Sequence, residues 1–281
     1  MPPTPVAGAL PSPLARLADA LLLSADTASP IDPATRLPDL TLADAERVQD
    51  AIVAARVARG ERRLGMKIGF TNRTIWDLYG VHHPIWGPVY DTTLVLLSGT
   101  TTHIACHRFN EPRIEPEIVL CLRQTPANAS PTAIAEAIEW VAHGFEIVQS
   151  AYPGWRFSGA ESFAAQGLHG ALHVGPRFSP AELLGTSMSA DTLIARLSAL
   201  ELELFADARL VKRGTGAHVL DGPIQALGHL VAALAERGRA LAPGDIITTG
   251  TLTDGHPIAP GQRWESRPSG LDLPGLQLDT E

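Results

Sequence analysis

The sequence predicts an α+β protein: a strand-rich body with flanking helices, preceded by a helical N-terminal segment. Three observations predict it. Apolar residues recur at helical spacing over residues 13–27 and again over 42–59. After Gly60 the texture changes to short apolar or alternating runs separated by Gly, Pro, Asp and Thr, which read as strands. The helical pattern returns only over 132–142 and 223–237, so the regular strand–helix alternation of a doubly wound sheet is missing.

Taken in order, residues 1–12 are Pro-rich and read as a loose tail. Leu14, Leu17, Ala18, Leu21 and Leu22 then share one face of a first helix. Residues 28–40 read as a loop. Thr41 or Asp44 caps a second helix, with Val48, Ile52, Ala55 and Val57 as apolar positions and Gly60 as its end. These elements define an N-terminal segment, 1–62, ahead of a body over 63–281. The strand candidates are Leu64–Phe70, Val89–Leu97, Ile114–Leu122, Leu172–Val174, Leu200–Phe205 and Asp245–Thr249. Asp221 and Pro223 open the last helix.

Composition removes several function classes. A formal net charge of −8 over 281 residues repels nucleic-acid phosphate, and no basic block offsets it. No apolar run is long enough to span a membrane, and the N-terminus lacks the basic and apolar regions of a secretion signal. Two cysteines, Cys106 and Cys121, make no disulfide framework, and the default compartment is the cytoplasm. Neither GxGxxG after a strand nor GxxxxGK[ST] is present, which argues against nucleotide binding.

The most informative segment is Pro112-Arg113-Ile114-Glu115-Pro116-Glu117-Ile118. On a strand, Glu115 and Glu117 point to the same face. Two carboxylates so close inside an apolar run repel unless a proton or cation lies between them. Pro116 donates no ladder hydrogen bond, so the strand should lie at an edge or at a break. Glu146 sits in a similar apolar run, Gly144-Phe145-Glu146-Ile147-Val148. Two readings stand at this point: a solvated strand face with an independent Glu146, or one hard-oxygen site suited to Mg²⁺ or Mn²⁺. Lys67 lies between Gly65 and Gly69 in a short strand, either snorkelling at an edge or held in a pocket. His82 and His83 are adjacent and do not share one metal face easily, so a zinc site is not expected. Asp91 is an acid/base partner or a turn residue. Arg113 is expected to pair with an acidic neighbour, and His169, His173 and His218 read as polar or packed histidines.

At these residues the chain resembles the fumarylacetoacetate hydrolase superfamily, in its 2-keto-4-pentenoate hydratase and 4-oxalocrotonate decarboxylase branch. The anchors are Gly65-Met66-Lys67-Ile68-Gly69-Phe70-Thr71, the 112–117 stretch, Ala137-Ile138-Glu139-Trp140 leading to Glu146, Gly214-Thr215-Gly216 and Gly244–Thr251. The resemblance covers most of the chain. It implies a mixed β-roll or β-sandwich, a homo-oligomer, and Mg²⁺ (or Mn²⁺) held by Glu115, Glu117 and Glu146. It makes Lys67 the proton-transfer lysine, whose pKa a nearby cation would lower, and puts Asp91 in a loop over the site. It makes Gln166 and Thr251 substrate contacts. The branch usually has Ala-Asp-Asn where this chain has Ala164-Ala165-Gln166, and Ser where it has Ala217. The activity implied is hydration of a 2-hydroxy-dienoic or 2-oxo-alkenoic acid, as in meta-cleavage degradation of aromatic compounds. Decarboxylation of a 2-oxo acid, C–C hydrolysis of an acylpyruvate, and a non-catalytic binding protein are the alternatives.

Overall fold

The computed structural model describes residues 10–281, so most of the predicted loose tail lies outside the described residues. The first helix, α1 (Ser12–Thr27), buries Leu14, Leu17, Ala18 and Leu21, as its periodicity predicts. Helix α2 (Leu42–Ala58) is capped by Thr41, whose side chain accepts from the Asp44 N–H. Val48 and Ile52 are buried, but Ala55 and Val57 face out and Arg56 is buried instead. Its guanidinium lies 4.5 Å over the Tyr90 ring and pairs with Glu61, which explains how a charge replaces an apolar side chain there.

The body follows as β1 (Arg63–Gly69), α3 (Trp76–Tyr79), β2 (Ile85–Tyr90), β3 (Leu94–Leu96), β4 (Thr101–Ile104), β5 (Arg113–Leu122), α4 (Pro131–Ala137) and β6 (Ile138–Val148). Next come α5 (Gly159–Ala164), β7 (His169–Phe178), α6 (Pro180–Leu184), α7 (Ala190–Ala199), β8 (Glu201–Ala206) and β9 (Arg209–Thr215). The chain ends with α8 (Pro223–Glu236), β10 (Ile246–Thr251), β11 (His256–Pro257), β12 (Arg263–Ser269) and β13 (Gln277–Thr280).

Two predicted elements are corrected. The helix expected over 132–142 stops at Ala137, and Ile138 opens an 11-residue strand. Ser130 and Pro131 start a helix well, but Ile138, Val141, Ile147 and Val148 are β-branched, and β6 pairs along the whole of β5. The single run expected over Val89–Leu97 is two strands, because Asp91–Thr93 form a turn between β2 and β3. Helices α3, α5, α6 and α7 and strands β4, β9, β11, β12 and β13 lie outside the predicted elements, although α7 is amphipathic and buries Leu193 and Leu197.

The larger sheet runs β2-β1-β10-β5-β6-β7-β3, with β11 added beside β5, and a second sheet runs β4-β13-β12-β8-β9. The larger sheet curls, so that β2 comes to lie near β7 at the other end of the order. Its outer face joins the main core: Ile114, Ile118, Leu120 and Leu122 of β5 pack with residues of α1, α2 and α8. Its inner face holds a separate small cluster of Val89, Val119, Cys121, Ala142, Leu172, Val174 and Ile246. Because side chains alternate along a strand, Arg113, Glu115 and Glu117 share the inner face with Val119 and Cys121. The roll is therefore plugged by apolar residues at one end and lined by charge toward the other. β5 is an interior strand, so Pro116 marks a break and not an edge. Thr248 pairs with Val119 but Thr251 pairs with Glu117, so Thr249 and Gly250 on β10 together oppose Ile118, a bulge two residues from the proline. No helix of the described residues is long and apolar enough to cross a membrane.

Candidate metal centre

Strand register brings the three predicted glutamates together. Glu115 faces Glu146 directly across the β5–β6 ladder, and Glu117 faces Gly144. One oxygen from each of Glu115, Glu117 and Glu146 lies within 4.8 Å of the others. Glu117 and Glu146 are fully buried, while Glu115 is half-buried and lines a cavity of about 220 Å³.

The β10 bulge supplies the donors that hold Glu117. Its Oε2 accepts from the Thr248 hydroxyl and, at 2.6 Å, from the Gly250 N–H. Gly250 has φ +111°, and a Cβ there would sit 2.1 Å from Thr71 Oγ1, so only glycine fits. The other oxygen, Glu117 Oε1, is buried with no hydrogen-bond donor. A buried carboxylate oxygen without a donor is costly, and here it points among two further carboxylates. The donor set fits a hard divalent cation.

Lys67 stands beside this cluster. β1 lies between β2 and β10, with Lys67 opposite Gly87 and Thr248. Its Nζ is 3.2 Å from Glu146 Oε2 and donates to the Gly167 carbonyl at 2.9 Å. That carbonyl is delivered by a turn in which Gln166, Gly167 and Leu168 all have positive φ, strain of the kind that functional sites hold. Gly87 permits the turn: a Cβ there would lie 1.9 Å from the Gln166 carbonyl oxygen.

Burial pushes the Glu115 carboxyl up to about 7, with Lys67 opposing, and holds Glu117 well above the usual range, with Glu146 and Glu115 adding to it. Burial would also raise Glu146, but Lys67 and His169 outweigh it and keep that carboxyl ionised. Burial would lower Lys67, yet Glu146, Glu115 and Glu117 outweigh it and hold the ammonium above its ordinary value. The lowered lysine pKa expected from the sequence is the opposite of what the carboxylates alone produce; it needs the positive charge of a cation.

The other predicted residues divide. Thr251 lines the cavity beside Gly250 and Thr253. Gln166 turns away: its amide donates to Tyr90 Oη at 2.8 Å and borders a different cleft, of about 810 Å³. Asp91 lies in the turn after β2, where its carboxylate accepts from the Arg62 N–H and guanidinium, both at 3.0 Å. Those bonds hold it below the usual carboxylate range, and it does not line the cavity. His218 also stays off the cavity, against the Leu252 carbonyl. Arg113 lines the cavity but has no carboxylate within 4.0 Å among the described residues, contrary to the expected ion pair.

Sequence reasoning missed His169. Its Nδ1 lies 2.8 Å from Glu146 Oε1 and its Nε2 lies 2.9 Å from Thr93 Oγ1. A carboxylate only accepts, so Nδ1 carries a proton toward Glu146, while Nε2 meets the Thr93 hydroxyl, which itself takes the Tyr90 N–H at 3.1 Å. No local signal marks His169, which sits 23 residues beyond Glu146 and meets it only through the β6–β7 ladder. The cavity wall is aromatic: Phe70, Tyr79, Trp155 and Phe157, with Tyr79 and Phe157 stacked at 5.3 Å.

Several known proteins are similar to this chain over most of its length. A 4-oxalocrotonate decarboxylase of a Pseudomonas species is 30% identical over 223 residues, covering 79% of this chain and 81% of the relative. A 2-hydroxyhexa-2,4-dienoate hydratase of Comamonas testosteroni is 28% identical and covers 92% of this chain and 93% of its own. The solved structure of 4-oxalocrotonate decarboxylase from Pseudomonas putida G7, complexed with magnesium and adipate, superposes with a TM-score of 0.83 at 27% identity, covering 96% and 97% of the two chains. Residues 86–271 match the family described as fumarylacetoacetate (FAA) hydrolase, C-terminal. With this match spanning more than half of its length, the chain belongs to the fumarylacetoacetate hydrolase family.

Proposed function

We propose that this chain is a divalent-metal-dependent lyase of the 2-keto-4-pentenoate hydratase type, acting on a 2-hydroxy-dienoic or 2-oxo-alkenoic acid. The observation that carries the reading is the donor-poor cluster of Glu115, Glu117 and Glu146 with Lys67 at 3.2 Å, open to a small cavity. Glu115, Glu117 and Glu146 would hold Mg²⁺ (or Mn²⁺), which supplies Lewis-acid polarisation of a 2-oxo group when bound. The chain's own groups supply the rest. Ketonisation of a dienol needs a proton delivered to carbon, and ionised carboxylates cannot give one. Lys67 is one of two lysines in the chain and the one that lines the cavity. Its tie to the Gly167 carbonyl aims Nζ at the cluster, so it can carry that proton. Thr251 and the adjoining turn, 250–255, border the space where a substrate carboxylate would sit. The aromatic wall excludes water from the reacting carbons.

A second reading, 2-oxo acid decarboxylation, is favoured by the 30% identical relative and by the 0.83 TM-score to a solved decarboxylase. An acylpyruvate C–C hydrolase and a non-catalytic binding protein of the same fold are the further alternatives. A panel of 2-hydroxy-dienoates, 4-oxalocrotonate and acylpyruvates with Mg²⁺ decides among them. Loss of ultraviolet absorbance with a hydrated product supports the hydratase, and CO₂ release supports the decarboxylase. No turnover with any of them overturns the enzyme reading.

The same proposal includes a cytoplasmic homo-oligomer. Both cysteines are free and buried, in keeping with a reducing compartment. The edge strands β3 and β9 expose Val95, Leu96, Leu210 and Val211, apolar side chains that an assembly would cover. Sedimentation showing only a 29.8 kDa species at micromolar concentration would refute the oligomer.

A further inference from the structure

We propose that Arg113 and Trp155 form an anion subsite at the outer end of the cavity, which takes the distal carboxylate of a dicarboxylic substrate. The inference rests on the 2-oxo-acid reading above and deepens it by naming what stands at the far end of the substrate.

Arg113 is the first residue of β5 and shares the inner face of the roll with Glu115 and Glu117. From the apolar plug outward, that face reads Cys121, Val119, Glu117, Glu115, Arg113. Two residues of strand rise separate Arg113 from Glu115, roughly 6.5 Å. An acid held at the carboxylate cluster by one end therefore brings a group several carbons away to the guanidinium.

The guanidinium is placed and not used. Its carbon lies 4.0 Å from the centroid of the Trp155 ring. Its Nε is buried with no acceptor, and no carboxylate lies within 4.0 Å of it among the described residues. A buried donor left unpaired is costly, and a ligand carboxylate would relieve that cost. Trp155 in turn is held in a strained backbone, with φ +58°. Its indole N–H donates to the Glu111 carbonyl at 3.0 Å, and the Gly154 N–H reaches both Glu111 carboxylate oxygens, at 2.9 and 3.0 Å. Glu111 itself has φ +44°. Two strained turns are thus clasped together, and what they hold in place is the platform under Arg113. Guanidinium stacked on an indole keeps its edge N–H groups free for a two-point contact with a carboxylate. The rest of the outer wall, Phe70, Tyr79 and Phe157, offers the apolar middle of a short chain its contacts.

The test compares 2-oxoadipate with 2-oxohexanoate, which differ only in the terminal group, binding to the Mg²⁺-loaded full chain by calorimetry. The parent protein is expected to bind the diacid at least tenfold more tightly. In Arg113→Met the preference should fall below twofold, through loss on the diacid side. Arg113→Lys, which keeps the charge but not the fork, should fall between them. Equal binding of the two acids by the parent overturns the subsite and leaves the 2-oxo-acid reading standing. Equal losses on both acids in Arg113→Met overturn it too, because they assign Arg113 to structure. Should Arg113→Met fail to fold, Trp155→Leu, which removes the platform, must narrow the parent's preference or the subsite is overturned. Failure of the Mg²⁺-loaded parent to bind either acid overturns both readings together.

Discussion

Replacing Lys67 by methionine separates its electrostatic from its chemical role. Nζ lies 3.2 Å from Glu146 Oε2, and two unit charges at that distance attract by about 5 kcal/mol at an effective dielectric near 20. Both side chains are essentially closed to solvent, at 4% and 0%. Met keeps most of the stem and removes the charge. Glu146 is then a buried carboxylate with only His169 to support it, beside Glu115 and Glu117. Breaking a buried pair costs roughly 3–5 kcal/mol. At about 2–4 °C per kcal/mol for a chain near this size, the metal-free midpoint should fall by roughly 6–20 °C. Mg²⁺ replaces the missing positive charge, so its stabilising shift should be larger in Lys67→Met than in the parent. On the true substrate, kcat should fall about 10²–10⁴-fold, the usual worth of one positioned proton carrier. Thermal unfolding in EDTA and in Mg²⁺, followed by turnover, reads all three. An unchanged metal-free midpoint would refute the electrostatic argument, and near-normal turnover would refute Lys67 as the acid.

Three further outcomes follow from the same geometry. His169→Leu removes the donor at 2.8 Å from Glu146 and should weaken Mg²⁺ binding about 10–100-fold by calorimetry, with partial recovery in His169→Gln; unchanged affinity would show that His169 does not orient the ligand. Gly250→Ala combines φ +111° with a contact at 2.1 Å to Thr71 and should lose at least about 1–3 kcal/mol in urea denaturation. Burial lowers His143 and His173 to about 4 each. A base depressed in the folded state takes up its proton sooner when unfolded, so stability is full above the ordinary value of 6.5 and is lost as pH falls toward 4. Urea midpoints measured across that window should decline, and a flat profile would contradict the burial of these rings.

The sequence by itself determined the local features. Helical periodicity placed α1, α2 and α8 within a residue or two, and apolar runs placed most strands of the larger sheet. The i,i+2 spacing of Glu115 and Glu117 put both on one face, because strand alternation is a property of the backbone. An apolar run singled out Glu146 and flanking glycines singled out Lys67, and the resemblance assigned the two their roles. Tertiary structure decided what depends on register and on chain crossings. Ala133–Ala142 fits either helical or strand spacing, and only pairing with β5 made Ile138 onward a strand. Asp91 and Gln166 are near the site in sequence pattern, yet the β2–β3 turn and the strained turn before β7 aim their side chains elsewhere. His169 reaches Glu146, and Arg113 reaches Trp155, through residues with no fixed sequence offset. Such contacts are set by how strands are laid side by side and by which turns bring their ends together, and neither is written in a local pattern.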